Sequence, residues 1–238
     1  MLKEAIEKIV SLAEAKTFEI DGRTYSDRTL HRIDPPFYTP EEKSLCSLDG
    51  LVKLLKAEYN KIVEAPLFIN VVSARRIDVF STYTDKYFRH NLYRVTSPTP
   101  QVNFGWCDYE TAMISIRSQF VPNEGTEYLL GLLSKITDEN SVQTSDNGLS
   151  QTVEVKKGIS LKAKEELKRR ISLRPFRTFL EVEQPESEFI LRLQEGGRVG
   201  LFEADGGAWE LRAKQNVSEY LEQELADLIE RGVVVVTR

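Results

Sequence analysis

Apolar residues at Leu2, Ala5, Ile6, Ile9, Val10 and Ala13 recur three or four positions apart. That spacing predicts an amphipathic helix over 2–15. Residues 17–26 read as a short hairpin turning at Asp21-Gly22, a pair that accepts the positive φ of a tight turn. Asp34-Pro35-Pro36 and Pro40 mark a loop. Ser47 is placed to cap a helix with Leu48, Leu51, Val52, Leu55, Tyr59 and Ile62 on one side, and Pro66 stops it.

The period then shortens. Leu67 to Val72 is an apolar run of strand length. Ile77, Val79, Ser81 and Tyr83 alternate with polar neighbours, and Tyr87 to Val95 is a second aromatic and β-branched run. With Thr84-Asp85-Lys86 between them, these runs predict a long central β-hairpin over 75–96. Ala112 to Phe120 fits a strand or a short helix. Asn123 to Thr126 offers caps for a helix through Tyr128, Leu129, Leu132, Leu133 and Ile136. Residues 141–158 read as a hairpin around Asp146-Asn147-Gly148, and 161–171 as a charged helix or an ordered linker. Beyond Arg174-Pro175 the pattern is a β-meander over 178–183, 188–194, 198–204 and 208–213, punctuated by Gln184-Pro185, Glu195-Gly196-Gly197 and Asp205-Gly206-Gly207. A helix capped by Asn216 with Glu219 three residues on, a terminator at Gly232 and a final strand over 233–237 complete the reading. The expected class is α+β, one domain over 1–238, with an antiparallel C-terminal sheet and flanking helices. A subdivision near 158–172 stays open.

Composition narrows the setting. Of the 238 residues 41% are hydrophobic and 29% charged, the balance of a globular chain and not of a disordered one. Two cysteines, Cys46 and Cys107, make no disulfide framework and fit a reducing cytosol. The residues after Met1 are charged, without the apolar core of a signal peptide, and no run approaches the ~18 apolar residues of a membrane span. A net charge of −5 disfavours coating a duplex. The basic run from Lys162 to Arg177, followed by carboxylates from Glu181 onward, permits a local anion site but also reads as a solvated face.

Catalytic signatures are scarce. His31 and His90 are isolated, the cysteines lack a paired context, and no nucleophile elbow, phosphate loop or dinucleotide turn is spelled out. No metal or cofactor is expected. The nearest enzymatic pattern is Asp146 with Glu154 and Lys156 on the next strand, which would suit a Mg²⁺-dependent nuclease but is equally ordinary for an exposed hairpin. Arg174, Phe176, Arg177 and Phe179 combine arginine forks with aromatics, the chemistry of a small anionic, nucleotide-like ligand. The competing reading makes the aromatics core anchors and pairs the arginines with Glu181, Glu183 or Glu186. Strand alternation would put Phe176 and Thr178 on one face and Arg177 and Phe179 on the other. Arg76, Tyr83, Lys86, Tyr87 and Arg89 on the central hairpin are candidate oligomer contacts.

The segments Arg174-Pro175-Phe176-Arg177-Thr178-Phe179, Glu181-Val182-Glu183-Gln184-Pro185 and Leu201-Phe202-Glu203-Ala204-Asp205-Gly206-Gly207-Ala208-Trp209 resemble a phage and prophage family of unknown function that includes the YfdQ-like proteins of enterobacterial prophages. The resemblance covers mainly 173–225, with a looser likeness over 16–26. It implies a phage gene product in a bacterial cytosol and carries over no functional residue. The expectation is a non-enzymatic accessory protein that self-assembles and binds a host factor or a small anionic ligand, in a role such as counter-defence. The alternatives are a shell- or ring-forming protein of capsid-like type and a metal-dependent nuclease. Nucleic acid and membrane are not favoured partners.

Overall fold

The computed structural model describes residues 2–13, 16–20, 23–26, 40–62, 65–84, 87–100, 102, 104–137, 142–146, 151–157, 160–194 and 198–238. The chain divides into two compact units, Met1–Thr39 and Pro40–Arg238. The first holds helix α1 (Leu2–Ala13) and strands β1 (Thr17–Ile20) and β2 (Arg23–Ser26), paired antiparallel with Thr17 opposite Ser26. The helix and hairpin fall where the periodicity puts them, while the turn pair Asp21-Gly22 lies outside the described residues. Leu2, Ile6, Phe18, Ile20 and Tyr25 of this unit are exposed.

The second unit runs β3 (Lys43–Leu45), α2 (Leu48–Ile62), β4 (Leu67–Ser73), β5 (Arg76–Phe80), β6 (Asn91–Thr96), β7 (Gly105–Asp108), α3 (Tyr109–Gln119), β8 (Phe120–Val121) and α4 (Glu124–Thr137). It continues with β9 (Val142–Asp146), β10 (Gln151–Lys157), β11 (Ser160–Glu166), β12 (Arg170–Pro175), β13 (Ser187–Gln194), β14 (Arg198–Glu203), α5 (Ala208–Glu224), α6 (Ala226–Glu230) and β15 (Val234–Thr237). The class is α+β.

Two five-stranded sheets organise this unit. In the first, ordered β15-β4-β5-β6-β3, Leu67, Ile69 and Val71 turn inward while Phe68 and Asn70 turn outward, the alternation of a sheet covered on one face. The covering helices supply Leu51 and Leu55 from α2, Val217 and Leu221 from α5, and Leu228 from α6. The final strand β15 pairs parallel to β4, Val234 opposite Leu67. The second sheet, ordered β7-β14-β13-β12-β8, is antiparallel throughout and packs Leu173, Phe189, Leu191 and Val199 against Ile116 of α3 and Leu129 and Leu133 of α4. A three-stranded sheet, β11-β10-β9, shares no strand ladder with either.

Local chemistry explains the helix starts. The Ser47 hydroxyl accepts from the Gly50 amide at 3.1 Å, the N-cap bond expected of it. Asp108 caps α3 by accepting from the Thr111 amide at 2.8 Å, which keeps its carboxyl below the usual range. Asn123 accepts from the Thr126 amide at 2.9 Å, and the Thr126 hydroxyl accepts from the Asn123 amide at 2.8 Å, a reciprocal cap. Close approach sets α4 against β12. A Cβ on Gly125 would lie 2.2 Å from the Ser172 carbonyl oxygen. Gly125→Ala is therefore expected to cost about 1–3 kcal/mol by overpacking, read as a lower urea midpoint with an unchanged slope.

Several elements differ from the sequence reading. Ala112 to Gln119 is helix, within α3, and Phe120 opens β8. Residues 161–171 are neither helix nor linker: β11 takes most of them and β12 begins at Arg170. The meander is real but displaced. Its first strand is β12, not 178–183, because extended pairing ends at Pro175 and the chain leaves the sheet. Residues 208–213 are the first turns of α5, which starts eight residues before Asn216. Gly206 and Gly207, at φ 63° and 84°, turn the chain out of β14 into that helix where a hairpin was expected. The central hairpin is β5–β6, beyond whose paired strands the Ser81 amide donates to the His90 carbonyl at 3.0 Å.

Candidate functional site

Between β12 and β13 the chain makes an excursion, residues 176–186, out of the second sheet and into the core of the first. Phe179 is fully buried there among Leu48, Leu51, Val217 and Leu221. Gln184 clips the excursion closed. Its Oε1 accepts from the Arg177 and Thr178 amides at 3.0 and 3.2 Å, and its Nε2 donates to the Phe179 carbonyl at 2.8 Å. The Thr178 carbonyl accepts from the Thr99 and Ser97 hydroxyls at 2.8 and 3.2 Å, while the Thr178 hydroxyl donates to the Ala74 carbonyl. Glu181 accepts from the Leu48 amide at 2.8 Å and so caps α2. The stretch joins the two halves of the unit.

Arg177 sits at the joint, with 5% of its surface exposed. Its Nη1 donates to Glu203 Oε1 and its Nη2 to Ser187 Oγ. Its guanidinium lies over the Trp209 ring, 4.0 Å from the centroid. Burial pushes its pKa down, opposed by the carboxylates of Glu203 and Asp205. Asp205 accepts from the Ser187 hydroxyl at 2.7 Å and from the Gly207 amide at 3.1 Å. Burial alone would raise its carboxyl, yet these bonds and the Arg177 charge hold it below the usual range. Glu203 and Asp205 are thus turned to Arg177 and Ser187.

This joint floors a cleft of about 480 Å³ lined by Arg75, Val102, Phe104, Arg177, Glu203, Gly207, Trp209 and Glu210. Arg75 donates from Nη2 to the Thr99 carbonyl. Among the described residues, the buried Nε atoms of Arg75 and Arg177 have no hydrogen-bond partner. The cleft thus combines two guanidiniums, two aromatic rings and two carboxylates at its wall.

The four residues proposed from sequence are not gathered into one surface. Arg177 and Phe179 are buried, Phe176 is half-buried, and Arg174 bridges Glu183 at 3.1 Å and Glu186 at 3.6 Å. Arg177, Thr178 and Phe179 are all buried, so the strand alternation expected for them does not hold past Pro175. Of the cleft residues, Arg75, Phe104 and Glu210 were not singled out from sequence. They lie far apart in the chain, and no local spacing links them. Trp209, stacked on Arg177, is also a wall of the cleft.

On the central hairpin, Arg76 holds Asp78 through two bonds of 3.0 and 2.7 Å. The Arg89 guanidinium lies 4.8 Å from the ring centroids of Phe68 and Phe80 and 4.2 Å from that of Tyr83, at cation–π distance from each. Tyr83 is exposed, and Tyr87, at φ 59°, is 88% exposed. Lys86 lies outside the described residues. The nuclease candidates fall on β9 and β10, where Asp146 pairs with Gln151 and Glu154 with Gln143. Among the described residues no group of three or more His, Cys, Asp or Glu is placed to hold a metal ion, and no helix is long and apolar enough to cross a membrane. Comparison with protein-family models, with curated proteins and with solved structures finds no match to this chain.

Proposed function

We propose that this protein is a non-enzymatic accessory protein of a phage or prophage, acting in the cytosol of the bacterial host, that assembles with copies of itself and binds a small anionic, nucleotide-like ligand. The observation that carries the ligand is the cleft of about 480 Å³ in which Arg75 and Arg177 meet Phe104 and Trp209, within the size range of small-molecule sites. Arg177 is largely spent on Glu203 and Ser187 and acts by fixing the Trp209 ring. Arg75 is the group left for a phosphate, Phe104 and Trp209 offer ring surface for a base, and Glu210 suits the N–H edge of that base. Binding without conversion fits a counter-defence role in which a host signal or factor is sequestered.

Isothermal titration with a panel of mononucleotides and cyclic nucleotides tests this. At least one is expected to bind, and Arg75→Gln is expected to weaken it by about tenfold or more, the worth of a charged hydrogen bond. No heat with any of them, or an unaltered affinity in Arg75→Gln, overturns the ligand part of the proposal.

A shell- or ring-forming role is the second reading. It draws on the first unit, where Leu2, Ile6, Phe18, Ile20 and Tyr25 are exposed apolar or aromatic groups of the kind interfaces cover. Negative-stain images would separate a shell or ring from a small oligomer.

A further inference from the structure

The first five-stranded sheet ends at β15, and its outer edge has no partner strand among the described residues. The Leu67 amide donates to the Val233 carbonyl at 2.9 Å. In a parallel ladder this directs the main-chain groups of Val233 and Val235 toward β4 and those of Val234 and Val236 away from it. Two amides and two carbonyls are left at the edge. Natural edges of this kind are usually blunted by a charge, a proline or a bulge. Val234, Val235, Val236 and Thr237 carry none of these, and their register on β4 is unbroken.

We infer that β15 pairs antiparallel with β15 of a second copy across a two-fold axis, joining two five-stranded sheets into one of ten strands. The inference rests on the self-assembly part of the proposal above and names its contact. The alternation places the axis at Val235. Val234 then exchanges both main-chain hydrogen bonds with Val236 of the second copy, and Val236 does so with its Val234. Val235 faces its own counterpart as a non-hydrogen-bonded pair, the closer of the two kinds. Val234 and Val236 point into the core beneath, while Val235 lies on the outer face and is 38% exposed. The pairing covers it with an identical side chain. A second copy suits this edge better than a foreign strand because the four residues are uncharged. Like meets like without repulsion, and the outward Val235–Phe68–Phe80 row continues across the axis.

The test uses the full chain. Val235→Cys, in a Cys46→Ser background because Cys46 is exposed, is expected to form an intermolecular disulfide on mild oxidation. Val72→Cys, at an exposed position of β4, is expected to stay uncrosslinked. Val236→Pro removes an outward amide and no bond to β4. It is expected to weaken dimerisation by at least about tenfold in sedimentation or light scattering, since each copy loses a main-chain donor. An oligomer that survives Val236→Pro, with Val235→Cys crosslinking no better than Val72→Cys, overturns this contact and leaves self-assembly to other surfaces. A wild-type chain that stays monomeric at all concentrations overturns self-assembly itself, and this contact with it.

Discussion

Arg177→Ala is expected to lower the unfolding free energy by about 3 kcal/mol, at the lower end of the cost of breaking a buried ion pair from one side. The removed group is almost wholly buried, whereas its partner Glu203 keeps about a third of its side chain in contact with water. The cost therefore comes less from a stranded carboxylate than from the Ser187 hydroxyl, the emptied volume and the lost face of Trp209. Arg177→Lys should recover only part of it, because a point charge cannot serve Glu203 and Ser187 in the geometry of a planar fork. Arg177→Met with Glu203→Gln should lie closer to the wild type than Arg177→Ala, since it fills the space and removes the charge needing a partner. Urea melts of the four proteins read the series directly. A loss below about 1 kcal/mol in Arg177→Ala would mean that the joint does not depend on this side chain.

Phe179→Ala is expected to cost about 4 kcal/mol, within the range for emptying a fully buried aromatic site. It should also alter how the protein unfolds. Phe179 belongs by sequence to the loop between β12 and β13 of the second sheet, but by packing to the core of the first. Its removal weakens a tie to which the bonds of Thr178 with Ser97, Thr99 and Ala74 also contribute. Far-UV circular dichroism and tryptophan fluorescence, which coincide in a cooperative transition, are expected to separate in the variant. Trp106 on β7 and Trp209 at the joint report on the second sheet and its border. Phe179→Leu, which keeps most of the volume, should cost about 1 kcal/mol and leave the curves superimposed. A single coincident transition in Phe179→Ala would show that the two cores are held together by other contacts.

Legibility from sequence follows the range of the forces involved. Caps are local, and Ser47 and Asn123 form the bonds their positions foretell. Alternation over β5 marks Ile77 and Val79 as the inward residues correctly, because that strand has one covered face. The apolar alternation of Thr178 to Val182 misleads for a physical reason. Phe179 and Val182 pack into the first core and Gln184 clips the turn, so a strand-like pattern arises without a strand. The Gly206-Gly207 pair is recognisable as a turn from its residues alone. Whether it leads to a fourth strand or to a helix depends on what the next segment can pack against, and α5 is drawn to the first sheet.

The arginine pair shows the same division. Sequence shows two arginines, two phenylalanines and several nearby carboxylates, and it leaves ligand binding and internal pairing both open. Arg174 pairs with Glu183 and Glu186, partners within reach along the chain. Arg177 pairs with Glu203, stacks on Trp209 and borders Arg75, residues that only the tertiary fold brings near. The amino-acid pattern by itself thus determined the α+β class, most helix and strand identities, and the punctuation of the C-terminal block. The tertiary structure alone decided that this block is a joint between two cores and that a cleft opens beside it. Periodicity and capping act within a few residues, whereas burial and ion pairing act between segments whose meeting no local pattern encodes.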